Sequence, residues 1–147
     1  KSEAERKSLW DIRENFEAIL EKQPYYLYDV SLPIKDMPEY VSKVHAALHD
    51  QFTDAECYVL GHVADGNLHL FLCPGEPGNW HESCDQVVYG PLESFNGSIS
   101  AEHGIGTEKI SWLGISRSEP EIALMRQLKT TMDPAKILGA ERVIPRT

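Results

Sequence analysis

Apolar positions recur along the chain with two different periods. Over residues 2–22, Leu9, Ile12, Phe16 and Ile19 return every three or four positions, which predicts a helix with an apolar stripe. Gln23-Pro24 predicts its end. Residues 25–33 are rich in aromatic and β-branched side chains and predict a strand. Asp36, Pro38 and Glu39 form a helix start, followed by the stripe Tyr40, Val41, Val44, Ala47 and Leu48. Residues 56–72 carry the strongest period-two pattern, broken once at Asp65-Gly66. A helix is expected over residues 80–95, kinked or interrupted at Gly90-Pro91. Residues 96–114 are mixed and contain four glycines. Ser118-Glu119-Pro120-Glu121 opens a last helix, with Ile122, Met125, Leu128 and Met132 as its stripe and Asp133-Pro134 as its stop. Helices alternating with a hairpin predict an α+β fold, with helices on one face of an antiparallel sheet. A ferredoxin-like arrangement, incomplete as the C-terminal part of a larger domain, fits this order.

Composition narrows the function classes. The 147 residues suffice for one domain, or for one large piece of a bigger one, with a core that needs no disulfide or metal to fold. A net charge of −9 argues against nucleic acid or an anionic membrane as partner. No apolar run approaches the roughly 18–20 residues that span a bilayer. Cys57, Cys73 and Cys84 are odd in number and unpaired in spacing, so they read as reduced thiols of a cytosolic-type compartment. The charged stretch over residues 1–7 is neither a signal nor a transit peptide, and the missing initiator Met suggests a processed or excised piece.

Residues 61–69 hold the densest chemistry. With Asp65 and Gly66 at the centre of a two-residue turn, Ala64 pairs with Asn67, Val63 with Leu68 and His62 with His69. Opposed residues share a face with Cβ atoms roughly 4.5–5.5 Å apart, close enough for two imidazoles to share a metal ion. Asn67 joins that face, while Val59, Val63, Leu68, Leu70 and Leu72 make the other face a core face. Two opposed histidines also fit a simple stacked pair, and a one-residue slip would part them.

Residues 97–106 form the second patch. Glycines at 97, 104 and 106 permit close approach or positive φ. Glu102 is the carboxylate that a His-His pair lacks, and two His with one carboxylate leave coordination positions open for a substrate. His103 follows as a candidate base, or as a polar loop residue satisfied by backbone. Arg13 is a candidate carboxylate partner, or a solvated surface charge, and Lys109 reads as a surface charge. His81-Glu82-Ser83-Cys84 has His-x-x-Cys spacing without a second pair, so it reads as helix. There is no Gly-rich phosphate loop after a strand, no G-x-S-x-G and no HExxH.

Five ordered segments carry a resemblance that covers essentially the whole chain. They are Leu9-Trp10-Asp11-Ile12-Arg13-Glu14, Tyr28-Asp29-Val30-Ser31-Leu32-Pro33, Gly61-His62-x-x-Asp65-Gly66-Asn67-Leu68-His69, Ser100-Ala101-Glu102-His103-Gly104-Ile105-Gly106-x-x-Lys109, and Met125-Arg126-x-x-Lys129-x-x-x-Asp133-Pro134. In this order the chain resembles the C-terminal part of FAD-linked oxidases of the vanillyl-alcohol oxidase type. The branch is that of the D-2-hydroxyacid dehydrogenases, which includes the enzymes of D-2-hydroxyglutarate and D-lactate and the glycolate oxidase FAD subunit.

The resemblance implies a small 2-hydroxy acid as substrate and oxidation to a 2-oxo acid, with hydride passing to FAD. It implies a divalent metal, zinc first and otherwise manganese or iron, on His62, His69 and Glu102. His103 becomes the base and, with Asn67, a neighbour of the flavin; Arg13, Asn67 and Lys109 become substrate contacts. Departures stand at Ala64 for Gly, Leu27 for Lys, Glu17 for Thr, and Leu138-Gly139-Ala140-Glu141-Arg142 for the usual tail. Those at Leu27 and Glu17 put hydroxyglutarate in doubt as the substrate. Residues 1–147 are then the C-terminal oxidase domain without the FAD-binding domain, inactive alone, and with cut sheet edges that favour a homodimer. The compartment implied is cytoplasmic, or mitochondrial in a eukaryote. A non-catalytic metal-binding or interaction domain is the competing expectation. A His-His-Glu zinc hydrolase is a third.

Overall fold

The computed structural model describes residues 2–15 and 17–144, with residues 17 and 18 as backbone only. Its elements are α1 (Glu3–Glu14), a one-turn α2 (Glu17–Leu20), β1 (Tyr26–Ser31), α3 (Met37–Gln51), β2 (Glu56–Leu60), β3 (Asn67–Cys73), α4 (His81–Leu92), a one-turn α5 (Leu113–Ser116) and α6 (Glu119–Met132). The fold is α+β, as the alternation of periods predicts. The sheet is antiparallel with strand order β1-β3-β2. This β-α-β-β-α connectivity is the ferredoxin-like one up to its last strand. Beside β1, a single bridge between Ser31 and Ser98 stands where a fourth strand would pair.

Strand parity sorts the sheet into two faces. Tyr28, Val30, Leu68, Leu70 and Leu72 point to one side, where Tyr40, Val44 and Leu48 of α3 and Cys84, Val88 and Leu92 of α4 close the core. Each such side chain contributes about 1.5–3 kcal/mol on burial. The Tyr40 hydroxyl donates to the Val88 carbonyl at 2.9 Å and locks α3 against α4. The other face carries Leu27, Asp29, Asn67, His69 and Phe71. All three cysteines are free, and burial pushes the Cys57 and Cys84 thiols up to about 12.

Four expectations need correction. The first helix ends at Glu14, and its apolar stripe covers nothing: Ile12 is 75% exposed and no α1 residue is buried. Phe16 lies outside the described residues. A capping box between Ser2 and Glu5 and a Lys7–Asp11 ion pair support α1 locally. Similarly, α6 buries Ile122 but leaves Leu128 and Met132 in solvent. Gly90-Pro91 does not interrupt α4, because the proline sits one residue before its end, where the lost N–H breaks only one helical bond.

The fourth correction concerns the hairpin. Leu60, not His62, opposes His69, so the ladder is shifted by two residues and the connection is 61–66. A two-residue turn of the expected type needs φ > 0 at both centres. Only Gly66 has it, at φ 75°, whereas Asp65 belongs to a 3-10 turn over Val63–Asp65. Val63 is therefore exposed in the turn rather than part of the core face. A two-residue shift keeps parity, so His69 and the leucines of β3 still face as predicted. Gly61 has φ 148°, and a Cβ there would meet the Asn67 carbonyl oxygen at 2.3 Å. Among the described residues, no helix is long and apolar enough to cross a membrane.

Candidate active site

The site is built on the sheet face opposite the core. Pairing of β1 with β3 sets Asp29 beside His69 and Ser31 beside Asn67. Asp29 is fully buried. Burial works to raise its pKa, but the donors around its carboxylate overcome that and hold it below the usual carboxylate range. Those donors are the backbone N–H groups of Ala101, Glu102 and His103, each at 2.9 Å, and the Ser100 hydroxyl at 3.0 Å. One carboxylate thus folds the 100–103 turn onto the sheet.

That turn delivers Glu102 to the histidines. Glu102 Oε1 lies 3.0 Å from His62 Nδ1 and accepts from Asn67 Nδ2 at 2.7 Å. Glu102 Oε2 lies 3.7 Å from His69 Nε2. The hydrogen bond from His62 leads in holding the Glu102 carboxyl below its ordinary value; burial opposes it, and the hydrogen bond from Asn67 adds to the lowering. The His62 and His69 rings are nearly perpendicular with centroids 6.1 Å apart, and His103 stacks on His69 at 5.4 Å. Ligating atoms of His62, His69 and Glu102 all lie within 4.8 Å of one another, and so do those of Asp29, His69 and His103. Asn67 is buried, and its Oδ1 has no hydrogen-bond partner.

Arg13 reaches the same place from the end of α1. With Leu27, Leu60, His62, His69, Phe71 and His103 it lines a cleft of about 430 Å³. Its guanidinium lies 5.0 Å over the Trp10 ring and bonds Glu14 at 2.8 Å. Lys109 sits behind the site rather than in this cleft. Its ammonium donates to the carbonyls of Ile99 at 3.0 Å and Asp29 at 3.3 Å, and approaches the Asp29 carboxylate at 3.9 Å. Burial lowers its pKa, and the Asp29 carboxylate opposes that shift. His81 and Cys84 do not converge. His81 lies 3.3 Å from Asp85, while Cys84 points into the core.

Of the residues singled out in the sequence, His62, His69, His103 and Arg13 line this cleft, and Glu102 and Asn67 bond each other beside it; the sequence reading assigned no role to Asp29. A signal existed: an acidic residue between Tyr28 and Val30 in a strand is costly unless several donors meet it.

The family model described as "FAD linked oxidases, C-terminal domain" matches residues 1–143. The chain belongs to this family. Its relatives include the D-2-hydroxyglutarate dehydrogenase of Xanthomonas citri pv. viticola, 40% identical over 94% of this chain and 30% of the relative. That of Stutzerimonas stutzeri is 32% identical over 97% of this chain and 32% of the relative. The mitochondrial D-2-hydroxyglutarate dehydrogenase of Danio rerio is 34% identical over 95% of this chain and 26% of the relative. The chain therefore spans a third or less of the length of these relatives. In this FAD-linked oxidase domain, the His/Glu cluster and the Arg13 cleft lie on the face the core leaves free.

Proposed function

We propose that this chain is the substrate-binding, C-terminal domain of a flavin-dependent dehydrogenase that oxidises a D-2-hydroxy acid to a 2-oxo acid. The observation that carries the reading is the convergence of His62, His69 and Glu102 beside His103, at the foot of a cleft edged by Arg13. Two imidazoles and a carboxylate suit zinc, and also manganese or iron. The buried, unpartnered Asn67 Oδ1 is a spare acceptor beside them. A divalent ion held there supplies Lewis acidity toward the substrate's hydroxyl and carboxylate oxygens. FAD, held mainly by sequence outside this chain, supplies the hydride acceptor.

The chain's own residues do the rest. Arg13 offers a planar donor pair to the substrate carboxylate. A ring nitrogen of His103 takes the hydroxyl proton, and stacking on His69 orients that ring. Asn67 holds Glu102 in place and faces substrate or flavin. Lys109 and Asp29 position the turn that carries Glu102 and His103. Apolar side chains left in solvent, such as Ile12, Leu128 and Met132, suit a surface covered by the flavin-binding part.

The test uses the gene product that carries this chain, loaded with FAD and zinc. Anaerobic addition of D-2-hydroxy acids is expected to bleach the flavin, and His103→Gln to abolish bleaching while metal content stays at about one equivalent. A flavin that none of these acids reduces would overturn the reading.

A further inference from the structure

His69 belongs to both donor clusters. Its Nε2 lies 3.7 Å from Glu102 Oε2, and its Nδ1 lies 3.8 Å from Asp29 Oδ1. The sheet sets up the second approach, because Asp29 of β1 and His69 of β3 are directly paired and their side chains share a face. The Asp29 side chain is fully buried and that of His69 is 18% exposed, so the two groups meet away from bulk water.

The two carboxylate oxygens of Asp29 are used unequally. Oδ2 accepts the Ser100 hydroxyl at 3.0 Å and the N–H groups of Ala101, Glu102 and His103, each at 2.9 Å, with Lys109 Nζ 3.9 Å away. Among the described residues, Oδ1 shares the Glu102 N–H, at 3.2 Å, and no other hydrogen bond. A carboxylate oxygen has about two lone-pair directions. Oδ2 is therefore filled, and Oδ1 has room for one more donor beside His69. The filling of Oδ2 also argues against an ion on Asp29, His69 and His103, although their donor atoms lie within 4.8 Å of one another. Asp29 stands behind the ligand shell rather than in it.

A neutral imidazole that binds a metal through one nitrogen carries its proton on the other, and an acceptor on that side fixes which nitrogen is which. We infer that Asp29 is a positioning residue for His69: its Oδ1 accepts the Nδ1–H of His69, so that Nε2 is free of its proton and aimed at an ion held with His62 and Glu102. This rests on the metal reading above. The 3.8 Å separation closes to hydrogen-bond length as the ion turns the ring, as functional hydrogen bonds commonly do on loading. One carboxylate then has two tasks. Oδ2 holds the turn that carries Glu102 and His103, and Oδ1 holds the ring of His69.

Asp29→Asn separates the tasks. With its carbonyl oxygen in the crowded Oδ2 place, its amide NH₂ faces His69 Nδ1 and drives the ring proton onto Nε2, the nitrogen the ion needs. Ser100→Ala removes a donor from Oδ2 and leaves the His69 side untouched. Zinc affinity of the gene product that carries this chain is read by competition with a chromophoric chelator. It is expected to fall about 10–100-fold in Asp29→Asn and less than about threefold in Ser100→Ala. In ¹⁵N-histidine-labelled, zinc-saturated protein, the Nδ1–H proton of His69 is expected far downfield and slow to exchange in the wild type and Ser100→Ala, and to move upfield in Asp29→Asn. A fast-exchanging His69 N–H without a downfield shift in the wild type overturns the inference, even if Asp29→Asn does not fold. An Asp29→Asn protein that binds zinc as the wild type does also overturns it. So does an equal loss of zinc in both variants with the His69 proton unmoved, since Asp29 would then serve the turn alone. A wild type that takes up no zinc overturns the metal reading, and the inference with it.

Discussion

The carboxylate of Asp29 accepts the backbone N–H of His103 at 2.9 Å, across 74 residues of sequence. The same oxygen takes the amides of Ala101 and Glu102. A buried anion on a strand thus fixes the turn that presents Glu102 and His103. Hydrogen bonds to charged groups are worth about 1.5–3 kcal/mol each, and the interior strengthens them. Asp29→Asn keeps the size but sets an amide NH₂ among N–H donors. Unfolding free energy is expected to fall by about 2–4 kcal/mol, measured by urea denaturation.

The pH dependence follows from the same residue. The Asp29 pKa is lowered in the fold, so the unfolded chain binds the proton more readily. The stability it contributes is fully present above its unfolded value, about 3.9, and is lost as pH falls through the lower folded value. The stability difference between wild type and Asp29→Asn should hold constant from pH 7 to 5 and shrink below about pH 4. A gap that stays constant to the acid limit would show that the carboxylate's charge is not what matters.

Ligand and support residues should separate in a metal titration. Under the proposed site, His62→Ala, His69→Ala and Glu102→Gln are each expected to weaken zinc binding by more than about 100-fold. Asn67→Ala, which removes the donor to Glu102 at 2.7 Å, should cost about 10–100-fold, as an outer partner does. Competition with a chromophoric chelator reads both.

Gly61 supports the loop that carries His62. Gly61→Ala would place a Cβ 2.3 Å from the Asn67 carbonyl oxygen at φ 148°. The expected loss is about 2–4 kcal/mol in urea unfolding, together with weaker zinc binding as His62 shifts. By contrast, Leu70→Ala, in the middle of the core face, should cost about 2–5 kcal/mol and leave zinc affinity unchanged.

His103 should behave as a base and not as a ligand. In the FAD-loaded gene product, His103→Gln is expected to lower kcat by about 10²–10⁴-fold with little change in metal content. Loss of metal on this substitution would instead place His103 in the coordination shell with Asp29 and His69, the second cluster of donors.

Much of this protein was legible from local pattern. The three strands, the helices over 37–51 and 119–132, and the sorting of Leu68, Leu70 and Leu72 from His69 follow from periods of 3.6 and 2. The candidates His62, Glu102 and His103 stood out because His and Glu beside glycines are chemically conspicuous, whereas Arg13 was given its role through the family resemblance. What local pattern could not decide was which surfaces meet. The stripe Leu9–Ile12 has the right spacing and no partner, since periodicity states that a face is apolar and not what covers it. The hairpin register depended on whether Asp65 would adopt positive φ, and the Leu32 N–H bonding the Gly66 carbonyl at 3.0 Å belongs to a longer connection instead. Asp29 gained its role only when the turn at 100–103 folded over it. Hydrogen bonds between residues more than 70 positions apart leave no trace in spacing, so that part of the site belongs to the tertiary structure alone.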